Sequence, residues 1–396
     1  MPRVRLWHLS LQQGLLSLQA QAAWLLVPLW GAQAGWNLRE TGWVLAAQAV
    51  GTALGSIGAG ILAARWGAGR VVRLSSWLVA LFLLALALPV EGALFWAAMR
   101  ACAGCSLGLS RGLVPMVAVN GEDRPQKSLA LSTAGYIAGQ AAGLPLAMLI
   151  GSTVSATFVL AALGVLLAVS TLFLGLPSGR REGEAASLRR LGSQILHELQ
   201  TPSTLGTVSL YAASFAIGGA LLGYLPLWWT EEQLRDSSTL AVWLSLGGAI
   251  QAGLLVLLGQ LQVERSVVRR IGGWMFASGL VCLTGPLFWQ MSPYAAGFWL
   301  LMMLVTRAGR IPAIQESLFC HGDPGRQAIR LSLCYGMAEL GRAVGATGAS
   351  WVYPSSGYAG VTVAAGLLAV VALGALPWLS HTRQLEVFQK STPTSE

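Results

Sequence analysis

The chain is 396 residues long, 55% hydrophobic and only 10% charged, where soluble domains run roughly 45–50% and about 25%. That much apolar surface cannot be hidden in a water-excluding core, which excludes a soluble protein and points to lipid as the solvent. A net charge of +9 would suggest nucleic acid in a soluble chain, but here the basic residues follow a membrane topology, so no nucleic-acid partner is expected.

A bilayer core about 30 Å thick takes roughly 20 helical residues to cross. Twelve apolar stretches near that length follow one another, at 9–34, 41–64, 74–90, 93–119, 128–151, 154–176, 204–229, 238–262, 271–291, 294–318, 328–352 and 358–379. The expected fold is an all-α integral membrane protein with twelve transmembrane helices. Threaded inside-first, the chain leaves Arg39 and Arg235 alone in outer loops and puts Arg100, Arg111, Arg307, Arg310 and Arg342 within helices. The other eighteen of the 25 Lys and Arg residues fall on the cytoplasmic face. Both termini are therefore expected in the cytoplasm, with the protein in a bacterial-type inner membrane.

Helix 1 follows Arg3 and Arg5 but is too long for a signal peptide and lacks a small-residue cleavage site, so it reads as a retained anchor. It carries Gln12 and Gln19 and no carboxylate; helix 2 carries Gln48, Thr52 and Ser56 on one face, a spacing that suits either cavity lining or interhelical hydrogen bonds. The connection to helix 3 is the run GILAARWGAGR, which holds Gly60, Arg65, Gly67 and Arg70. Helix 4 places Arg100 and Arg111 eleven residues apart, close to three turns, on one face at two depths. Between them, Cys102 and Cys105 read as small packing residues; all five Cys lie in or beside apolar segments, which suggests neither disulfides nor a metal site. Helix 5 carries Gly135, Gly139, Gly143 and Pro145, with Gln140 on it as well.

Residues 177–203 form a polar linker, and 187–199 space their leucines and isoleucine on one helical face. Helix 7 offers Tyr211 and Ser214, helix 8 Gln251, and the following loop Glu264. Helix 10 bears Arg307 and Arg310. Helix 11 bears Tyr335, then Glu339 and Arg342 three residues apart, an ion pair within one turn. The sixteen Trp residues cluster near expected helix ends, Trp43, Trp96, Trp228, Trp229, Trp289 and Trp351 among them, as an interfacial belt.

An offset of about 200 residues superposes Trp43 on Trp243 and Arg65 on Arg265, and aligns Arg111 and Pro115 with Arg307 and Pro312. The chain thus divides into a first six-helix bundle at 1–176, the linker, a second bundle at 204–380 and a tail at 381–396. Glu339 falls opposite the neutral Gln140 in this repeat.

These features together resemble the major facilitator superfamily, over the whole chain. The 2–3 turn is similar to the family's signature at Gly60, Leu62, Arg65 and Gly67, although the family's Asp is Ala64 here, with Glu264 as the nearest substitute for an inner latch. Arg100, Gly104 and Gly108 match its helix 4 motif, and the helix 5 glycines loosely echo an exporter motif. The resemblance implies two pseudo-symmetric bundles that alternately expose a midplane site.

Intramembrane ionisable groups are costly and usually face a partner or a wet cavity. The arginine excess points to an anion, with Arg100, Arg307, Gln19, Gln48, Gln140, Tyr211 and Tyr335 as substrate-binding candidates. Glu339 with Arg342 is the proton-coupling candidate, and the resemblance implies a gating role for Gly60, Arg65, Gly67 and Arg70, which Arg111, Arg310 and Glu264 join as gating candidates. Scaffold pairing through carbonyls or acids competes with each of these roles. No phosphate loop, HExxH or Ser/His/Asp set is present, so no enzyme, cofactor or metal is expected. The function expected is secondary transport by a monomer, coupled to protons, exporting an organic anion or amphipathic metabolite such as a siderophore-like compound or drug. Proton-coupled import of a small organic anion, or gradient-independent lipid scrambling, are the alternatives.

Overall fold

The computed structural model describes residues 6–88, 90, 92–119, 125–151, 155–173, 193, 196–233, 235–260, 267–319 and 327–379. Among these the chain is helical, without a strand. The helices are α1 (Leu6–Gln33), α2 (Leu38–Trp66), α3 (Ala68–Ala85), α4 (Ala93–Val119), α5 (Pro125–Gly151), α6 (Ala156–Leu172), α7 (Pro202–Leu227), α8 (Ser237–Gln260), α9 (Val267–Met291) and α10 (Pro293–Phe319). The last long stretch, Gln327–Ala372, breaks at Gly357 into α11 (327–356) and α12 (358–372), which makes twelve. Seven stretches are long and apolar enough to cross a membrane by length and composition, one of them, Ser332–Leu379, covering both α11 and α12.

Local chemistry sets the ends. Asn37 caps α2 through its side chain, accepting from Glu40 N at 2.9 Å while Glu40 Oε2 accepts from Asn37 N at 2.8 Å, a reciprocal capping box. Gly67, at φ +83°, turns the chain from α2 straight into α3. For that reason α3 starts at Ala68 and ends at Ala85, not at the expected 74–90. Gly357 sits at φ +58°, where a side chain would be strained, and lets α12 fold back after α11. Glu232, in the single π turn Trp228–Glu232 that extends α7, accepts from Tyr358 N at 3.2 Å and holds this bend.

Close packing rests on small residues. A Cβ on Gly51 or Gly55 of α2 would strike the backbone of Ala101 or Cys105 of α4, and one on Gly104 or Gly108 would strike Gln48 or Thr52. The same contact is built twice more: Gly135 and Gly139 of α5 lie against the carbonyls of Ser10 and Gly14 of α1, and Gly341 and Gly345 of α11 against those of Ala212 and Ala216 of α7. Membrane helices gain little from hydrophobic burial against one another, so close backbone approach carries their association. The duplicated α1–α5 and α7–α11 seams repeat at an interval close to the sequence offset.

The first six helices meet the second six along α2–α11, α5–α8 and α1–α7. At the end where α1 passes into α2, this meeting is closed. Tyr224 Oη donates at 3.3 Å toward Leu38 O and Ala346 O, a Cβ on Gly42 would meet Ser350 Cβ at 2.6 Å, and Arg39 Cζ stands 4.2 Å from the Trp351 ring centroid. Two aromatic clusters lie near that end: Trp30 stacked on Trp96 at 4.1 Å, and Trp228 with Trp289, Trp299 and Tyr358 within 6.3 Å of one another. Here the belt expectation needs correction. Trp43 and Trp351 are exposed, but Trp96, Trp228, Trp229 and Trp289 are buried between helices, where ring on ring gains more than a headgroup site.

Candidate functional site

The charged residues of α4, α10 and α11 converge. Arg111, 6% exposed, donates from Nη1 to Glu339 Oε1 at 2.5 Å, and Glu339 is itself 3% exposed. Its other terminal nitrogen donates to Tyr136 Oη of α5, whose ring lies 4.7 Å below the guanidinium carbon. Tyr136 Oη also accepts from Gln140 Nε2 at 2.7 Å. On the far side of the carboxylate, Arg342 Nη1 stands 3.4 Å from Glu339 Oε2. One carboxylate is therefore held between an arginine of the first six helices and one of the second six. Arg307 of α10 lies within electrostatic reach of Arg342, Tyr136, Arg111 and Glu339, so among the described residues the cluster sets three guanidinium groups against one acid.

Beside this cluster is a small pocket of about 10 Å³, room for about one water. Gln21 and Trp24 of α1, Ser214 and Phe215 of α7, Arg307 of α10 and Arg342 of α11 line it, so one helix of the first six and three of the second six form its walls. Arg342 Cζ lies 5.3 Å from the Trp24 ring and 5.0 Å from Phe215, an aromatic clamp that fixes the guanidinium without neutralising it. Gln21 Nε2 and Ser214 Oγ are buried there with no hydrogen-bond partner.

Of the sequence candidates, Arg307, Arg342, Glu339, Arg111, Gln140 and Tyr335 gather in or beside this centre; Tyr335 lies one turn before Glu339, in electrostatic reach of Arg111. Tyr211 is buried next to it, its ring 6.3 Å from Tyr335. Others lie elsewhere. Arg100 is fully buried on α4, and none of its three nitrogens finds a hydrogen-bond partner; Gln48 Oε1 on the adjoining α2 is likewise unpaired. Gln19 is buried and donates to Leu16 O of its own helix at 3.1 Å. Arg310 donates to Ser214 O at 3.1 Å, tying α10 to α7 inside the second half. Gly60, Arg65 and Arg70 are exposed, with no partner for either arginine among the described residues; Glu264 lies outside them.

The sequence alone did not single out Gln21, Trp24, Phe215 or Tyr136. A signal was present for Gln21: Gln13, Ser17 and Gln21 recur every four residues on α1, one polar face of an apolar helix.

The family model described as Major Facilitator Superfamily matches residues 9–315. The chain belongs to the major facilitator superfamily. Solved structures of that fold superpose on nearly its whole length. The human organic anion transporter MFSD10 (TETRAN) matches with TM-score 0.69 at 16% identity, over 94% of this chain and 98% of its own. The nucleoside transporter NupG matches with TM-score 0.66 at 16% identity, over 94% and 99%. A D-xylose–proton symporter matches with TM-score 0.72 at 15% identity, over 94% of each chain. No curated protein sequence matches. As a member of the major facilitator superfamily, the protein is a multi-pass membrane transporter of small molecules and not an enzyme.

Proposed function

We propose that this protein couples protons to the transport of a small organic anion by alternating access, and that proton and anion move in the same direction. The observation that carries this reading is Glu339 held between Arg111 and Arg342, with Arg307 close by. While Glu339 is ionised it occupies guanidinium groups that an anionic cargo would use. When it takes a proton, the pocket gains unbalanced positive charge, and an anion is attracted. By linkage the bound anion favours the protonated carboxyl to the same degree, so the two loads stabilise each other's binding. Around Glu339 stand Arg111 from α4 and Arg342 from α11 in ion-pair contact and Arg307 from α10 within electrostatic reach, with Tyr136 from α5 and Tyr335 from α11 beside Arg111.

Co-transport with an inward proton gradient means uptake. Export, the first expectation from sequence, leaned on the α5 glycines, and their packing against α1 accounts for them without any reference to direction. Neighbours described as an organic anion transporter and a proton symporter are compatible with this reading, but at 16% and 15% identity they establish the fold alone. Residues 1–176 and 204–380 then act as the two moving bodies, with both termini cytoplasmic, as the distribution of basic residues requires. The closed α1–α2 end is the outer one in this threading.

The test is reconstitution into vesicles carrying a lumenal pH dye. Adding a small carboxylate outside is expected to acidify the lumen faster than in protein-free vesicles, and Glu339→Gln is expected to abolish that signal while anion exchange persists. Lumenal alkalinisation on anion entry would indicate antiport and restore the export reading.

A further inference from the structure

The pocket and the face of α1 that leads away from it are lined by polar groups that have nothing to bind. Gln21 and Ser214, each 2% exposed, reach it from opposite halves, and Gln21 Nε2 and Ser214 Oγ have no hydrogen-bond partner. Along α1 the same is true of Ser17 Oγ and Gln13 Oε1, at 1% and 4% exposure, on the face Gln21 shares. A buried amide or hydroxyl left unpaired has given up its water without a replacement and destabilises the state that holds it. Gln21 and Ser214, two such groups facing one pocket, are a standing penalty unless the working state fills them. The charged end of the pocket, by contrast, is already specified by Arg307 and Arg342, and Trp24 and Phe215 supply flat apolar walls.

We propose that the cargo is a hydroxylated carboxylate, admitted when the pocket, sized here for about one water, widens in the transport cycle: its acid group lies between Arg307 and Arg342, its ring or chain lies against Trp24 and Phe215, and its hydroxyls hydrogen-bond Gln21 and Ser214. This deepens the anion reading above and rests on it. A lipid-like or purely aliphatic acid would leave the amides and hydroxyls stranded in a dry pocket; a sugar acid would satisfy them. Gln21 and Ser214 are then the specificity residues, since they choose among anions while the arginines choose anions over neutral molecules.

Three ligands of one size separate these roles: glucuronate, cyclohexanecarboxylate, which keeps the ring and the acid but no hydroxyl, and glucose, which keeps the hydroxyls but no acid. Calorimetric binding to the purified full-length protein in nanodiscs is expected to rank glucuronate above cyclohexanecarboxylate by about tenfold or more, the worth of about one or two net hydrogen bonds. In the double variant Gln21→Leu/Ser214→Ala that gap should close through weaker glucuronate binding together with equal or tighter cyclohexanecarboxylate binding, which also shows that the variant is folded. Glucuronate binding no tighter than cyclohexanecarboxylate, including none at all, overturns the inference and leaves the anion reading standing. Glucose binding as tightly as glucuronate, with neither weakened by Arg307→Gln, overturns both.

Discussion

At the scale of single residues, the central fact is an acid caught between two bases. Two arginines and one glutamate buried together are tolerable only because the carboxylate lies within ion-pair distance of both guanidinium groups; removing one member weakens the balance of the others. Arg111→Gln leaves Glu339 with Arg342 alone, at 3.4 Å, and is expected to cost about 3–5 kcal/mol of stability. Adding Glu339→Gln should recover part of it. Thermal unfolding of the two variants checks this: a double variant no more stable than the single would show that the pair is not coupled. Arg342→Gln and Arg307→Gln should weaken an organic anion about tenfold or more while sparing a neutral analogue, measured by competition binding; equal loss for both would make these arginines scaffold. The Glu339–Arg342 pair was legible in the sequence because three residues on a helix share a face. Its partnership with Arg111 was not, since 228 residues separate them and only the packing of α4 near α11 brings them together.

At the scale of elements, helix seams built on glycine explain more of the sequence than any functional motif does. Gly55→Leu on α2 or Gly139→Leu on α5 would drive a side chain into a neighbouring backbone; overpacking typically costs about 1–3 kcal/mol, and backbone contact cannot yield by a rotamer change. Both variants should lower the unfolding temperature. Gly273→Ala on α9, where no atom lies within 4 Å, should leave it unchanged or raise it, by up to about 1 kcal/mol of helix propensity. Equal destabilisation at all three sites would contradict this packing scheme. The apolar periodicity made the helices visible in the sequence, but not their ends: α3 begins six residues early because Gly67 needs no loop, and the α11–α12 bend rests on a carboxylate, Glu232, from another part of the chain. Glycine spacing showed that helices would touch without showing which ones.

At the scale of the whole molecule, the two sets of six helices meet tightly at the end where α1 turns into α2, and the charged pocket lies between them. If that closure is one state of a rocking cycle, fixing it must stop turnover. Gly42→Cys with Ser350→Cys, whose positions adjoin across the seam, is expected to cross-link under oxidant, halt transport and recover with reductant; cross-linked protein at full activity would show that the seam does not open. The two halves are proposed from the sequence offset that pairs Arg65 with Arg265; the α1–α5 and α7–α11 seams both set glycines against backbone carbonyls. The pocket's chemistry was only half readable, its arginines standing out against lipid while Gln21, Trp24 and Phe215 look like any helix interior. The most direct test of the whole account is flux in vesicles with an imposed pH gradient, acid outside. Labelled organic anion is expected to accumulate inside above its external level, and to lose that accumulation on adding a proton uncoupler or on Glu339→Gln. Anion movement indifferent to the gradient, or gradient-independent passage of lipid in its place, would contradict it.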